Sequence, residues 1–114
     1  MNQMPTQNPQ EPFARVTVDE MKEMMNRDDV TVVDVRDPHE YGSGHVPGAS
    51  HIPVNSVFAR KDELPKDQDI VFVCAVGVRS ALACEMAAAA GLSRLYNLEG
   101  GTDAWIKSGN SVES

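Results

Sequence analysis

Three short runs of branched and aliphatic residues punctuate the chain: Val30 to Val35, Ile70 to Val73 and Leu95 to Leu98. Their almost unbroken apolar character predicts strands covered on both faces, as in a parallel sheet, rather than strands with one wet face. A brief extended segment is expected over His51 to Val54. Between these runs the spacing becomes helical. Thr17 and Glu20 stand at capping-box distance ahead of Met21, Met24 and Met25, which predicts a helix from Val18 to Asn26 with its methionines in the core. Helices are also expected over Ser56 to Leu64 and over the alanine-rich Ser80 to Ala90, where Gly91 supplies the stop. A last helix should run from a Thr102 cap through Ile106 and Lys107 to Gly109. Strands alternating with helices predict an α/β fold, a small mostly parallel sheet with helices on both faces. Ligands in such folds collect beyond the carboxyl ends of strands, which directs attention to the residues after Val35, Val73 and Leu98.

The 114 residues suffice for one domain whose core needs neither a disulfide nor a structural metal. Seventeen acidic against ten basic side chains leave a net charge of -7, the wrong sign for a nucleic-acid partner. The longest apolar stretches, Ile70 to Val76 and Ala87 to Ala90, fall far short of the ~20 residues of a membrane-spanning helix, so no membrane partner is expected. Met1 to Pro12 is polar, with neither a basic start nor an apolar h-region, and does not resemble a secretion signal. The expected organisation is a flexible tail over residues 1–14, a domain over 15–109 and a second tail over 110–114. Cys74 and Cys84 make a poor disulfide framework and cannot form a four-thiolate zinc site, so a cytoplasmic location and thiol chemistry are expected. His39 and His51 lack a partner set at ligand spacing; no metal is expected, and both read as surface residues.

The chemistry gathers after Val73, where Cys74, Ala75, Val76, Gly77, Val78, Arg79 and Ser80 lead from a strand straight into a helix. Unpaired amides of a first helical turn favour an anion, and the Cys74 thiolate is the candidate. With Arg79 adding a positive charge, the thiol should fall from about 8.5 toward or below neutrality. Gly77 can take positive φ and close the loop into a cradle of inward N–H groups.

From Asp34 the chain reads DVRDPHEYGSGHVPGASHIP and from Glu99 it reads EGGTDAW. Together with the six-residue Cys74 to Arg79 loop, these blocks resemble the rhodanese homology domain over about Thr17 to Ile106. Arg36, Glu40, Tyr41 and the run His45 to Ala49 fill the places of the family's early motif. The resemblance implies a sulfurtransferase without a cofactor. On this resemblance Cys74 would take the outer sulfur of thiosulfate or a persulfide and pass it, as a cysteine persulfide, to a thiol or cyanide acceptor, with a protein donor or acceptor as a further option. It also implies catalytic roles for Cys74 and Arg79, substrate binding by Ala75, Val76, Gly77, Val78 and Ser80, and supporting positions for Asp34, Arg36, Glu40 and His45. Phosphatases of the same fold use a loop one residue longer, so six residues favour sulfur over phosphate. A phosphatase or arsenate reductase is therefore the more distant alternative, and a non-catalytic persulfide carrier or regulatory binding module the nearer one. Where many relatives carry a charged or polar residue after the cysteine, this chain has Ala75, then Val76 and Val78. Recognition of a dianionic donor then rests on the amides and Arg79, and a protein-bound or organic persulfide stands beside thiosulfate as a donor.

The remaining residues take plainer roles. Arg36 stands four residues before Glu40 and is expected to pair with it, clamping the loop beneath the site. His45 is expected to hold backbone rather than act as a base, and Trp105 to anchor the core. Gly100 and Gly101 should shape a turn. Cys84 lies too far along its helix to resolve a Cys74 persulfide and should pack against the sheet.

Overall fold

The structure, a computed structural model, describes residues 5–114. Its strands are β1 (Thr6–Gln7), β2 (Ala14–Val16), β3 (Val30–Asp34), β4 (Ser50–His51), β5 (Asp69–Val73) and β6 (Leu95–Leu98), and its helices α1 (Val18–Met25), α2 (Pro38–Gly42), α3 (Val78–Ala89) and α4 (Gly101–Lys107). They form one sheet in the order β1-β2-β6-β5-β3-β4, parallel throughout except for the β1–β2 pair. This is the expected α/β architecture.

The unbroken apolar run of β5 reflects its central place. Ile70 and Phe72 point into a core beneath α3 that also holds Val33, Ala83, Cys84 and Ala87. Val71 and Val73, the alternate residues, point into a second core with Met21, Met24, Leu98 and Trp105, closed by α1 and α4. Period-two alternation thus feeds two hydrophobic layers from one strand. Burial of such side chains stabilises by roughly 1.5–3 kcal/mol each. Thr17 caps α1 as its spacing predicts: its hydroxyl accepts from the Glu20 N–H at 3.2 Å while the Glu20 carboxylate accepts from the Thr17 N–H at 2.7 Å. Cys84, the neighbour of Ala83 in the α3 core, offers its thiol to the Tyr96 carbonyl at 3.4 Å, and burial pushes that thiol well above its ordinary value.

Several expectations are corrected. The helix expected over Ser56 to Leu64 is replaced by two single 3-10 turns, Val54–Ser56 and Lys61–Glu63. The segment lies between Pro53 and Pro65, and Pro65 keeps Leu64 extended, at φ -88° and ψ 128°, so a helix cannot run through it. It satisfies its amides with i→i+3 bonds, such as Ser56 N–H to Pro53 O at 2.8 Å, and still buries Val57 and Leu64. The extended segment stops at His51, since Val54 already belongs to the first of these turns. Thr102 does not cap α4. Gly100 occupies that position, and the buried Thr102 hydroxyl has no hydrogen-bond partner among the described residues.

Parts of the segments read as tails join the sheet or pack near it. Thr6 and Gln7 pair with Arg15 and Ala14, while Glu113 exchanges main-chain bonds with His45 at 2.8 and 2.9 Å. Polar side chains at an edge strand cost nothing in packing, so low hydrophobicity did not forbid pairing there. Residues 1–4 of the expected N-terminal tail lie outside the described residues.

Candidate active site

Parallel pairing brings the carboxyl ends of β3, β5 and β6 to one edge, with Val35 N–H bonded to Val73 O at 2.8 Å. Cys74 follows β5 there, between its two neighbours, only 1% exposed. The chain then turns through Ala75 and Val76 to Gly77, whose φ of 102° provides the left-handed entry to α3 that other residues adopt at a cost. This is the positive φ expected of Gly77.

Three carbonyls of the loop are fastened from outside it. Cys74 O accepts from the Thr102 N–H at 2.8 Å, Ala75 O from the Asp103 N–H at 3.1 Å and Gly77 O from the Asn97 Nδ2 at 3.1 Å. In a trans peptide the C=O and the following N–H point oppositely, so holding a carbonyl outward turns the next amide inward. The Gly77 N–H lies 3.1 Å from Cys74 Sγ and the Ser80 hydroxyl 3.3 Å from it. Burial pushes the Cys74 thiol up, but the Ser80 hydroxyl and the amides of Ser80, Gly77 and Val76 outweigh it, so the thiol titrates below its ordinary value.

The close approach of α4 depends on Gly101, at φ 61°. A Cβ there would stand 2.4 Å from Cys74 O and 2.5 Å from Ala75 O. Gly100 and Gly101 do shape a turn, and the turn braces the loop.

Sequence spacing sets Arg79 against Cys74 and Arg36 against Glu40; the side chains are arranged otherwise. Arg79 donates through Nη1 to Glu40 Oε1 at 2.7 Å and through Nη2 to Oε2 at 3.0 Å. That partnership, aided by the Asp37 N–H, holds the Glu40 carboxyl down at about 2 against burial, and the Cys74 sulfur acts on Arg79 only through space. Arg36 turns back to Asp34, with bonds of 2.9 to 3.1 Å, and reaches Gly44 O at 2.7 Å. Both Arg36 and Asp34 are buried, and a buried guanidinium needs its carboxylate next to it. Arg36 therefore props the α2 region from beneath while Arg79 clasps it from α3.

His45 holds backbone as expected: its Nδ1 lies 2.8 Å from Tyr41 O and its ring stacks on Tyr41 at 3.7 Å. His39 is exposed, as expected. His51 is not a surface residue. Half-buried, it stacks on the other side of Tyr41 at 4.4 Å and sets Nε2 2.7 Å from Arg36 O. Trp105 is buried, with Nε1 donating to Ser111 O at 2.8 Å.

Sequence reasoning missed two features. Helix α2 carries a legible signal, Asp37 followed by Pro38 and, three residues on, Glu40, whose carboxylate accepts from the Asp37 N–H at 3.1 Å. Asn97 carries none: a lone Asn in an apolar strand gives no hint that it is buried, accepts from the Ser80 hydroxyl and ties down Gly77.

Fold and loop together define an α/β domain in which a buried cysteine sits in a cup of main-chain amides at the sheet's carboxyl edge. Residues 17–108 match the rhodanese-like domain, and the chain belongs to that family. A sulfurtransferase of Allochromatium vinosum is 38% identical over 86 residues, 75% of this chain and 80% of that protein. A thiosulfate sulfurtransferase of Pseudoalteromonas translucida is 30% identical over 93 residues, 82% of this chain and 89% of that one. Among solved structures, a rhodanese-like domain protein of Staphylococcus aureus superposes with a TM-score of 0.77 at 35% identity, covering 88% of this chain and 98% of its own.

Proposed function

We propose that this chain is a rhodanese-type sulfurtransferase that works through a persulfide on Cys74. The observation that carries the reading is the convergence of the Gly77 amide, at 3.1 Å, and the Ser80 hydroxyl, at 3.3 Å, on a cysteine sulfur whose thiol is shifted toward the thiolate. The thiolate attacks the sulfane sulfur of thiosulfate or of a persulfide. The sulfur–sulfur bond of the donor breaks, the leaving sulfite or thiolate keeps the electron pair, and a persulfide anion remains on Cys74. The same amides that stabilise the thiolate stabilise this anion, so one preorganised cup serves both half-reactions. A thiol or cyanide then attacks the outer sulfur and restores the Cys74 thiolate. Arg79 with Glu40, and Arg36 with Asp34, hold the loop's surroundings in place, and His45 fixes backbone. The chemistry requires a reduced Cys74, which suits a reducing compartment such as the cytoplasm.

Mass spectrometry of the purified chain after incubation with thiosulfate or an organic persulfide tests this. A gain of about 32 Da on Cys74, one sulfur atom, that cyanide discharges as thiocyanate is the expected result. An adduct that no small acceptor removes would make the chain a carrier. No adduct with any donor, together with release of phosphate from an aryl phosphate, would replace the reading with a phosphatase.

A further inference from the structure

The sulfurtransferase reading leaves the donor open between thiosulfate and a persulfide; the charges and exposure around the loop narrow that choice, and the narrower choice rests on the same reading. Arg79 is the only charged side chain between Ala75 and Ser80. Its guanidinium is matched by the Glu40 carboxylate through two hydrogen bonds, so the pair adds no net charge to the mouth of the cup. A further carboxylate, that of Asp37, acts electrostatically on Arg79, and Asp103 in the first turn of α4 holds Ala75 O through its backbone N–H. In place of cations the rim presents Val76 and Val78, 56% and 72% exposed, followed one turn along α3 by Leu82 at 51%.

Thiosulfate would bring two negative charges to a thiolate that already carries one. A thiosulfonate or an organic persulfide brings only one, together with a carbon group that can cover the valines. The surplus like charge beside a sulfur this shielded from water corresponds to about 10- to 1000-fold in rate, whereas apolar contact with an exposed valine acts in the donor's favour. We infer that this site is built for a monoanionic organic sulfane, R–SO2–S⁻ or R–S–S⁻ with an apolar R group, and that Val76 and Val78 set the preference over thiosulfate. The transfer balances in either form. The Cys74 thiolate bonds to the terminal sulfur, the bond from that sulfur to the rest of the donor breaks, and a sulfinate or thiolate of R departs with the electron pair. One negative charge then resides on the Cys74 persulfide and one on the leaving group.

The test compares kcat/KM for thiosulfate, methanethiosulfonate and benzenethiosulfonate, with cyanide as acceptor, in the full chain and in Val78→Lys and Val76→Lys variants. The rank expected is thiosulfate lowest and benzenethiosulfonate highest. Methanethiosulfonate, with the single charge but a minimal carbon group, separates the two contributions. Either lysine variant should raise kcat/KM for thiosulfate by about tenfold, one added cation at a partly screened distance, while lowering it for benzenethiosulfonate. Because leaving groups differ among donors, the change in the donor ratio between wild type and variants is the deciding quantity. Thiosulfate used as well as benzenethiosulfonate, with a ratio that the lysines do not move, would overturn the donor inference and leave the sulfurtransferase reading standing. No transfer from any of the three donors, together with no Cys74 adduct from an organic persulfide, would overturn both.

Discussion

Asn97 on β6 accepts the hydroxyl of Ser80 on α3, and that hydroxyl also lies 3.3 Å from the Cys74 sulfur. A hydroxyl has one proton, so Asn97 and the thiolate compete for it. The orientation of the Asn97 amide is decided by its other end, where Nδ2 must face the Gly77 carbonyl at 3.1 Å. Ser80→Ala removes a donor to an anion, worth about 1.5–3 kcal/mol, and should raise the Cys74 midpoint by about one to two pH units. Asn97→Asp sets a carboxylate against the same hydroxyl and loses the tie to Gly77, so its midpoint should also rise. The pH dependence of alkylation by iodoacetamide reads both. An unmoved midpoint in Ser80→Ala would mean that the amides alone ionise the thiol.

The wild-type alkylation profile carries its own sign. Because the folded chain holds the Cys74 thiol below its ordinary value, reactivity should rise through a midpoint under that of a free cysteine and stay flat above it. A midpoint at or above the free value would show that burial prevails over the hydrogen bonds.

The two cysteines should separate cleanly. Cys74→Ser is expected to abolish sulfur transfer with the fold retained. Cys84→Ser, at a fully buried position whose thiol is pushed up by burial, should keep activity and cost about 1 kcal/mol of stability. Thiocyanate formation alongside thermal unfolding distinguishes them, and equal activity loss in both would remove the asymmetry.

Acid should loosen the clasp between α2 and α3. The Glu40 carboxyl is depressed from its ordinary 4.5 to about 2, chiefly by Arg79. A depressed carboxylate contributes stability that is complete above 4.5 and is lost as the pH falls toward 2. With both side chains about one-third exposed, solvent screening limits that contribution to about 1 kcal/mol. Urea unfolding of wild type and Glu40→Gln should therefore converge in this window as the pH falls. A difference that stays constant from pH 7 to 2 would assign Glu40 a role other than its charge.

Gly101→Ala should damage the site directly. Its methyl would stand 2.4 Å from Cys74 O at a backbone φ of 61°, which side chains resist. A loss of about 1–3 kcal/mol is expected, with a drop in transfer activity under conditions where the variant remains folded. Full activity in a folded variant would show that α4 does not brace the loop.

Legibility followed locality. The capping pair Thr17 and Glu20, the strand runs Leu95 to Leu98 and Val30 to Val35, the latter observed to Asp34, and the Cys74–Gly77 turn are all written in neighbouring residues. The Ser56 to Leu64 helix failed because tertiary burial of Val57 and Leu64 sufficed without it.

Ion pairing followed no such rule. Arg36 and Glu40 sit at a spacing that suits a helix, but β3 ends at Asp34 and the chain turns, so Arg36 meets Asp34 and Glu40 is left for Arg79, far away in sequence. By itself the chain determined a doubly covered parallel sheet and a cysteine at the mouth of a helix, because hydrophobic period and turn chemistry act over a few residues. Only the tertiary structure decided which groups surround that sulfur, since the donors of Ser80, Asn97, Thr102 and Asp103 reach the loop from three different elements whose approach is set by packing.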